Sequence, residues 1–477
     1  MNPSATLDRW LIAFGVLLVL CAWTAIYLNL WYIWIIPGLI LASAIALVRY
    51  DFYYYLLFAL IPFSVEVVFP NGLGTDLPTE PVMILLSGLF ILVVLQNPRT
   101  LTAPFFRHPI TILLLLHLVW IFYTTITSQH IMTSVKFFLA KSWYILAFYA
   151  FTGLLFAPAQ WQKTIRWLSL SLLAVVTLVM VRHAVTGFAF NRINNVVGPF
   201  FRNHVNYGSL VCLSIPLVAG LAWLSPKGWK RVFWLAGTLL LIAAMYLSYT
   251  RATYVALMGG IGGGLIIYLK QVKTALLLGS VLGILGIFWM LDENRYLDYA
   301  PDYDKTVTYY EFETLLDATA KGQDISTMER VYRWVAGMHM IKDRPLLGFG
   351  PGNFFNYYKS YTVSSFRTYV SDNPEKSGIH CYYLMTTVEQ GLPGIVIFLI
   401  LCFYFLYASE RAFHLYAKEE KIIVMANAIM MIHILIILLL NDMVETDKVG
   451  PFFFFGLAVL AAIEARHQPA ANELPGR

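Results

Sequence analysis

The sequence predicts an all-α polytopic membrane protein of about 12–14 transmembrane helices with one large helical loop outside them. Three observations predict it. Hydrophobic residues make up 59% of the 477 and charged residues only 13%, against roughly one quarter charged in a soluble chain. Apolar runs of about 18–22 residues recur, the length that crosses a hydrocarbon core of roughly 30 Å. One long polar stretch, Asp292 to Gly391, interrupts them. The runs are continuous and do not alternate with a period of two, which excludes a transmembrane barrel.

Spans are expected at 10–26, 29–48, 53–69, 80–96, 108–127, 138–157, 165–187, 205–224, 231–248, 250–269, 274–291, 381–408, 422–440 and 448–465. The chain then divides into a first bundle (1–291), a loop domain (292–379), C-terminal helices (380–465) and a tail (466–477). The short polar lead from Met1 to Arg9 runs into apolar segments that keep coming, so it opens a first span and is not a cleaved signal. Cys21, Cys212, Cys381 and Cys402 lie in or beside apolar runs without CxxC spacing and read as small buried hydrophobes.

Lysine and arginine in short loops set orientation. An inside N-terminus places Arg49, Arg99, Arg107, Lys163, Arg166, Lys227, Lys230, Arg231, Lys270, Lys273, Arg411, Lys418 and Lys421 on the cytoplasmic side. The opposite loops are poor in base, and the polar stretch 292–379 then faces the periplasm, with both termini inside. The net charge of +6 fits these loops and calls for no nucleic-acid partner.

Arg192 and Arg202, in the loop after the seventh span, and Arg251, in the turn Ser248-Tyr249-Thr250-Arg251, oppose that bias. Snorkelling to headgroups accounts for one such arginine. Three on one face, in a chain with a large outer loop, point to function. A guanidinium fork matches phosphate and stays charged, so these residues can hold a lipid-linked diphosphate and stabilise its departure without a metal.

Inside the loop, Ser326-Thr327-Met328-Glu329 reads as a capping box that opens a helix to about Lys342. Pro345 ends it, and Gly348, Gly350 and Gly352 allow a tight turn before a short helix from Asn353. The turn lacks the lysine and strand of a phosphate loop. Asp302-Tyr303-Asp304 is DxD-like but sits in an acidic run that reads as a solvated face. His380, where the polar stretch meets the next span, is the candidate base, with an ordinary pKa near neutrality; an interfacial or capping histidine is the competing reading. His204 lies near Arg202 and can assist binding. His117 and His433 lie inside spans and read as hydrogen-bonded between helices. Glu445 and Asp447, near the last outer loop, can orient a base or an acceptor, and Glu389 ends the helix begun at His380.

Ser248-Tyr249-Thr250-Arg251, the run from Arg344 through Pro345, Leu346 and Leu347 to Gly350, His380-Cys381-Tyr382-Tyr383-Leu384, and Glu389-Gln390-Gly391-Leu392-Pro393-Gly394 together resemble the O-antigen ligase and polymerase family. The stretch Gly198 to Gly208 resembles that family's outer arginine loop, and the likeness runs over roughly 190–460. It implies a multi-span, GT-C-like, metal-independent inverting glycosyltransferase with no cofactor. The donor would be an undecaprenyl-diphosphate-linked glycan and the acceptor a lipid A–core sugar or another glycan, at the periplasmic face of the bacterial inner membrane. By position, Arg251 would bind diphosphate, with Arg192 or Arg202 as second ligand. His380 would activate the acceptor, and His204, Arg344 and Glu389 would be supporting residues. Cys381 stands where the family usually has Asn after the histidine.

Ligase is the first reading and polymerase, with the same donor chemistry, the second. A transporter of lipid-linked glycan would show internal repeats and charges at mid-span. Here the candidate charges cluster at span ends, although Gly259-Gly260 and Gly262-Gly263-Gly264 suit either a broken helix or close helix packing.

Overall fold

The computed structural model describes residues 3–68, 74–300, 323–368, 371–373 and 376–467. In chain order its elements are α1 (Pro3–Leu28), α2 (Ile35–Val48), α3 (Tyr50–Leu60), β1 (Val65–Val68), β2 (Gly74–Leu77), α4 (Thr79–Gln96), α5 (Ala103–Phe106), α6 (Pro109–Ile126), α7 (Ile131–Tyr144), α8 (Phe151–Leu155) and α9 (Pro158–Val185). Then come α10 (Ile193–Val197), α11 (His204–Leu224), α12 (Trp229–Tyr246), α13 (Arg251–Tyr268), α14 (Val272–Leu291), α15 (Ile325–Asp343), α16 (Phe354–Tyr357), α17 (Tyr382–Leu415), α18 (Lys418–Ile437) and α19 (Gly450–Arg466).

The chain is an all-α polytopic membrane protein. A helix lies on each of the fourteen expected stretches, and among the described residues eight helical runs are both long and apolar enough to cross a membrane. Two expected spans come out shorter. α2 has 14 residues and α3 has 11, about 21 and 17 Å at 1.5 Å per residue, below the hydrocarbon thickness. Pro62 stops the third span in a 3-10 turn. The β-branched run after it pairs antiparallel with β2, Glu66 opposite Asp76, a hairpin the sequence reading missed.

α11 and α19 are apolar all round and therefore central: every residue from Gly450 to Glu464 is buried. α13 packs closely on α18 because Gly260, Gly263 and Gly264 face His433, Ile432 and Ile429, where a Cβ would crowd them. Those glycines serve helix packing. His117 Nε2 meets Gln390 Oε1 at 2.9 Å and His433 Nδ1 the Cys212 carbonyl at 3.1 Å, both between helices as expected. The four cysteines are free, three of them buried and Cys381 half-buried.

The polar stretch has its own small core, in which Tyr332, Val335, Ala336 and Met340 of α15 meet Phe349, Phe354, Tyr358, Phe366 and Ile379. Val388 of α17 joins this core and ties it to the bundle. The cap of α15 is Asp324, two residues before the expected box; its carboxylate accepts from Thr327 N at 3.0 Å and Thr327 Oγ1 at 2.6 Å. Glu329 does not reach back to the cap. It accepts from Ser371 Oγ at 2.6 Å and from Thr368 Oγ1, and pairs with Arg333.

Candidate active site

The turn that carries Arg251 is locked onto the start of α11. Tyr249 takes a left-handed φ of 55°, and Thr250 Oγ1 donates to the His204 carbonyl at 3.0 Å. A Cβ on Gly208 would stand 2.7 Å from Ser248 Oγ and 2.8 Å from Thr250 Oγ1, so this approach requires glycine. Arg251 opens α13, and its Nη2 donates to Asp324 Oδ2 at 3.0 Å. Asp324 is 3% exposed. One carboxylate thus caps the polar-domain helix and orients a guanidinium from the bundle.

α15 brings two further arginines. Arg330 Nη1 donates to Ser326 O and Oγ at 3.0 and 2.8 Å, while its Nε is buried without a partner among the described residues. Burial, then Arg251, lowers Arg330 to about 10, against opposing pulls from Asp324 and Asp442. Arg333 Nη1 donates to the Gly378 carbonyl at 3.1 Å and Trp334 Nε1 to that of Ile379 at 3.1 Å. The helix therefore holds the two residues before His380.

His380 has a left-handed φ of 57°, and its N–H donates to Asp442 Oδ2 at 2.7 Å. Asp442 Oδ1 is buried with no partner among the described residues. Burial is the main cause that raises the Asp442 carboxyl to about 7. Burial, then Arg330 and Arg333, lowers His380 to about 3, so the imidazole is neutral at physiological pH. His204 lies beside Arg251 and Arg330, with Nδ1 on Asn194 Oδ1 at 2.8 Å.

The structure brings together Arg251, His204 and His380 from the expected set and adds Arg330, Asp324 and Asp442. Arg192 is exposed in the turn Phe190–Arg192. Arg202 is 64% exposed and meets Glu66 of the hairpin at 3.5 Å. Neither shows an interaction with Arg251, Arg330 or His380 among the described residues, so the second guanidinium near Arg251 is Arg330. Its sequence signal was faint: Arg330 and Arg333, three apart on one helix, share a face.

Arg344 and Glu389 serve the joint between domains. Arg344 lies over the Phe349 ring at 4.8 Å. Glu389, 2% exposed, accepts from Gly352 N at 2.8 Å and Phe354 N at 3.0 Å. Phe349 N and Gly350 N donate to the Val388 and Glu389 carbonyls at 3.0 and 2.9 Å, and Leu392 N to that of Pro345 at 2.8 Å. Gly348 and Gly391, both at positive φ, let these backbones touch. Glu445 instead accepts from Tyr382 Oη at 2.7 Å and pairs with the buried Lys141. No group of three or more His, Cys, Asp or Glu placed to hold a metal occurs among the described residues; Asp302 and Asp304 lie outside them.

Residues 236–399 match the family model described as O-antigen ligase. Over that stretch the chain is similar to the O-antigen ligase family. The match runs from α12 to the middle of α17 and includes Arg251, Arg330, Arg344, His380 and Glu389, while Arg192, Arg202, His204 and Asp442 fall outside it. It is narrower than the likeness read over 190–460. At family level it supports an O-antigen ligase-type, glycosyltransferase-like function acting on lipid-linked glycan and an acceptor. No curated protein matches the chain.

Proposed function

We propose that this protein is an O-antigen ligase that transfers glycan from an undecaprenyl-diphosphate carrier to a sugar hydroxyl of lipid A–core at the periplasmic face of the inner membrane. The observation that carries the proposal is the joining of Arg251 to the cap of α15 through Asp324, which brings Arg251 beside Arg330, the arginine that also acts on His380. In the proposed step an acceptor oxygen attacks the anomeric carbon from the face opposite the diphosphate. The carbon–oxygen bond to phosphate breaks, undecaprenyl diphosphate leaves, and the hydroxyl proton passes to His380. Arg251 and Arg330 stabilise the charge that develops on the leaving group, with no metal required. Burial and then the arginines hold His380 low; bound diphosphate offsets the arginine part, so the donor itself makes the imidazole a better base.

Reconstitution tests this reading. Purified protein is given undecaprenyl-diphosphate glycan with lipid A–core, or donor alone. Product on lipid A–core supports the ligase, and lengthened donor makes the protein a polymerase. Donor that merely crosses the bilayer rejects both in favour of transport.

A further inference from the structure

Beside the His380 region the described residues enclose a second polar chamber of about 70 Å³. Space of that measure admits a few waters, so a ring enters it only in part, by one hydroxyl-bearing edge. Its polar lining comes from Asp76 of β2, Thr79 and Glu80 of α4, Trp143 and Tyr144 of α7, and Glu445 and Asp447 of the loop after α18, and Leu57 and Ile61 of the third span close it on an apolar side.

Four carboxylates line it and two are matched by lysines. Glu445 pairs with Lys141, and Asp447 with Lys448 at 3.0 Å. Glu80 receives only neutral donors, Thr75 Oγ1 at 2.5 Å and Asp76 N at 3.3 Å. Asp76 has no ion pair among the described residues; burial and the Asp447 carboxylate raise its pKa. The chamber is thus rich in acceptors and repels anions.

Tyr144 supplies the sign of a ligand. It is 5% exposed and lines the chamber together with Asp76, Glu80, Glu445 and Asp447. Among the described residues its hydroxyl makes no hydrogen bond, whereas a buried tyrosine hydroxyl normally has a partner. Trp143 Nε1 is also buried without one. Two unused donors, carboxylate acceptors and an aromatic wall completed by Phe148 suit a molecule with hydroxyls on its edge and apolar C–H faces.

We propose that this chamber binds one neutral or amino-bearing sugar ring, as a carbohydrate subsite distinct from the diphosphate site. Glu445 joins the two, since it lines the chamber and accepts from Tyr382, two residues from His380. Binding of the ring stands on the chamber alone; which substrate supplies it, acceptor or donor glycan, rests on the glycosyl-transfer reading.

The test uses the full chain in nanodiscs, with binding of glucose, glucosamine and glucuronate followed by saturation-transfer NMR and calorimetry. Glucose or glucosamine should bind, and glucuronate at least about tenfold more weakly. Tyr144→Phe, which removes one oxygen, and Asp76→Asn should each weaken binding about tenfold, the scale of one hydrogen bond to a charged or buried partner. Arg251→Ala should leave it unchanged. In the transfer assay, a raised KM for lipid A–core in Tyr144→Phe assigns the ring to the acceptor, and a raised KM for the donor assigns it to the donor glycan. No sugar bound by folded wild-type protein, undiminished binding in both variants, or a KM unchanged for both substrates overturns the proposal. Sugar binding without transfer would sink the glycosyl-transfer reading and leave the subsite standing.

Discussion

Arg251 and Asp324, 73 positions apart in sequence, meet at 3.0 Å, and that ion pair couples the bundle to the polar domain. Asp324 serves both sides, since the same Oδ2 also accepts from Thr327. A carboxylate shared between a helix cap and a guanidinium fixes the arginine, and the same carboxylate also acts on Arg330 nearby.

The first prediction concerns that arginine pair. Arg251→Ala and Arg330→Ala should each lower transfer about 10²–10³-fold, the loss typical of one preorganised group facing developing charge. Arg251→Lys should recover little, because a point charge cannot reproduce a fork. Single-turnover transfer, with thermal unfolding as a fold control, decides it; near-wild-type rates in both alanine variants would remove the diphosphate assignment.

His380→Ala should abolish transfer and retain donor binding. The pH profile is equally specific. Burial, then Arg330 and Arg333, hold His380 at about 3, so the imidazole is already neutral across pH 5–8. kcat/KM, which reports the free enzyme, should show no acid limb near 6.5 from this residue. A limb at 6.5 that disappears in His380→Gln would mean that burial and the arginines do not act on the imidazole as described.

Glu389 is expected to matter for stability. Glu389→Ala strips two loop amides of their buried acceptor, at a cost of about 1–3 kcal/mol for each group left unsatisfied. The melting temperature should fall, while the purified, folded fraction keeps its KM for donor. A raised KM at unchanged melting temperature would move Glu389 into the binding site.

Gly208 probes the Arg251 turn from a distance. Gly208→Ala forces a methyl against Ser248 and Thr250, an overpacking cost of about 1–3 kcal/mol, and should reduce transfer through the position of Arg251. Transfer and stability both unchanged would show that the turn yields freely.

Chelation is the simplest measurement. EDTA should leave transfer unchanged if guanidinium groups carry the leaving-group charge. A strict divalent requirement restored by Mg²⁺ or Mn²⁺ would return attention to Asp302 and Asp304.

Much of the fold was legible because a span is written locally: about twenty apolar residues need no partner to declare themselves. Arg251 and His380 stood out as candidates for a related reason, since charged or titratable residues at span ends are conspicuous in an apolar chain. Arg330 was not legible. It lies in a polar stretch where arginine is ordinary, and only the burial of its Nε and its neighbours Arg251 and Asp442 distinguish it. The role of Glu389 was hidden as well, because its partners are backbone amides some 35 residues away.

By itself the sequence determined that the protein is a polytopic helical bundle with a polar domain, and that arginine and histidine stand where the two meet. Those features follow from hydrophobic run length and from charge placed against the orientation bias, both read along one dimension. Tertiary structure alone decided which arginine partners Arg251, that Asp324 and not Ser326 caps α15, and that the span expected at 53–69 ends in a hairpin beside an acidic chamber. Each of these depends on contacts between residues distant in sequence, whose energies arise only once the helices have packed.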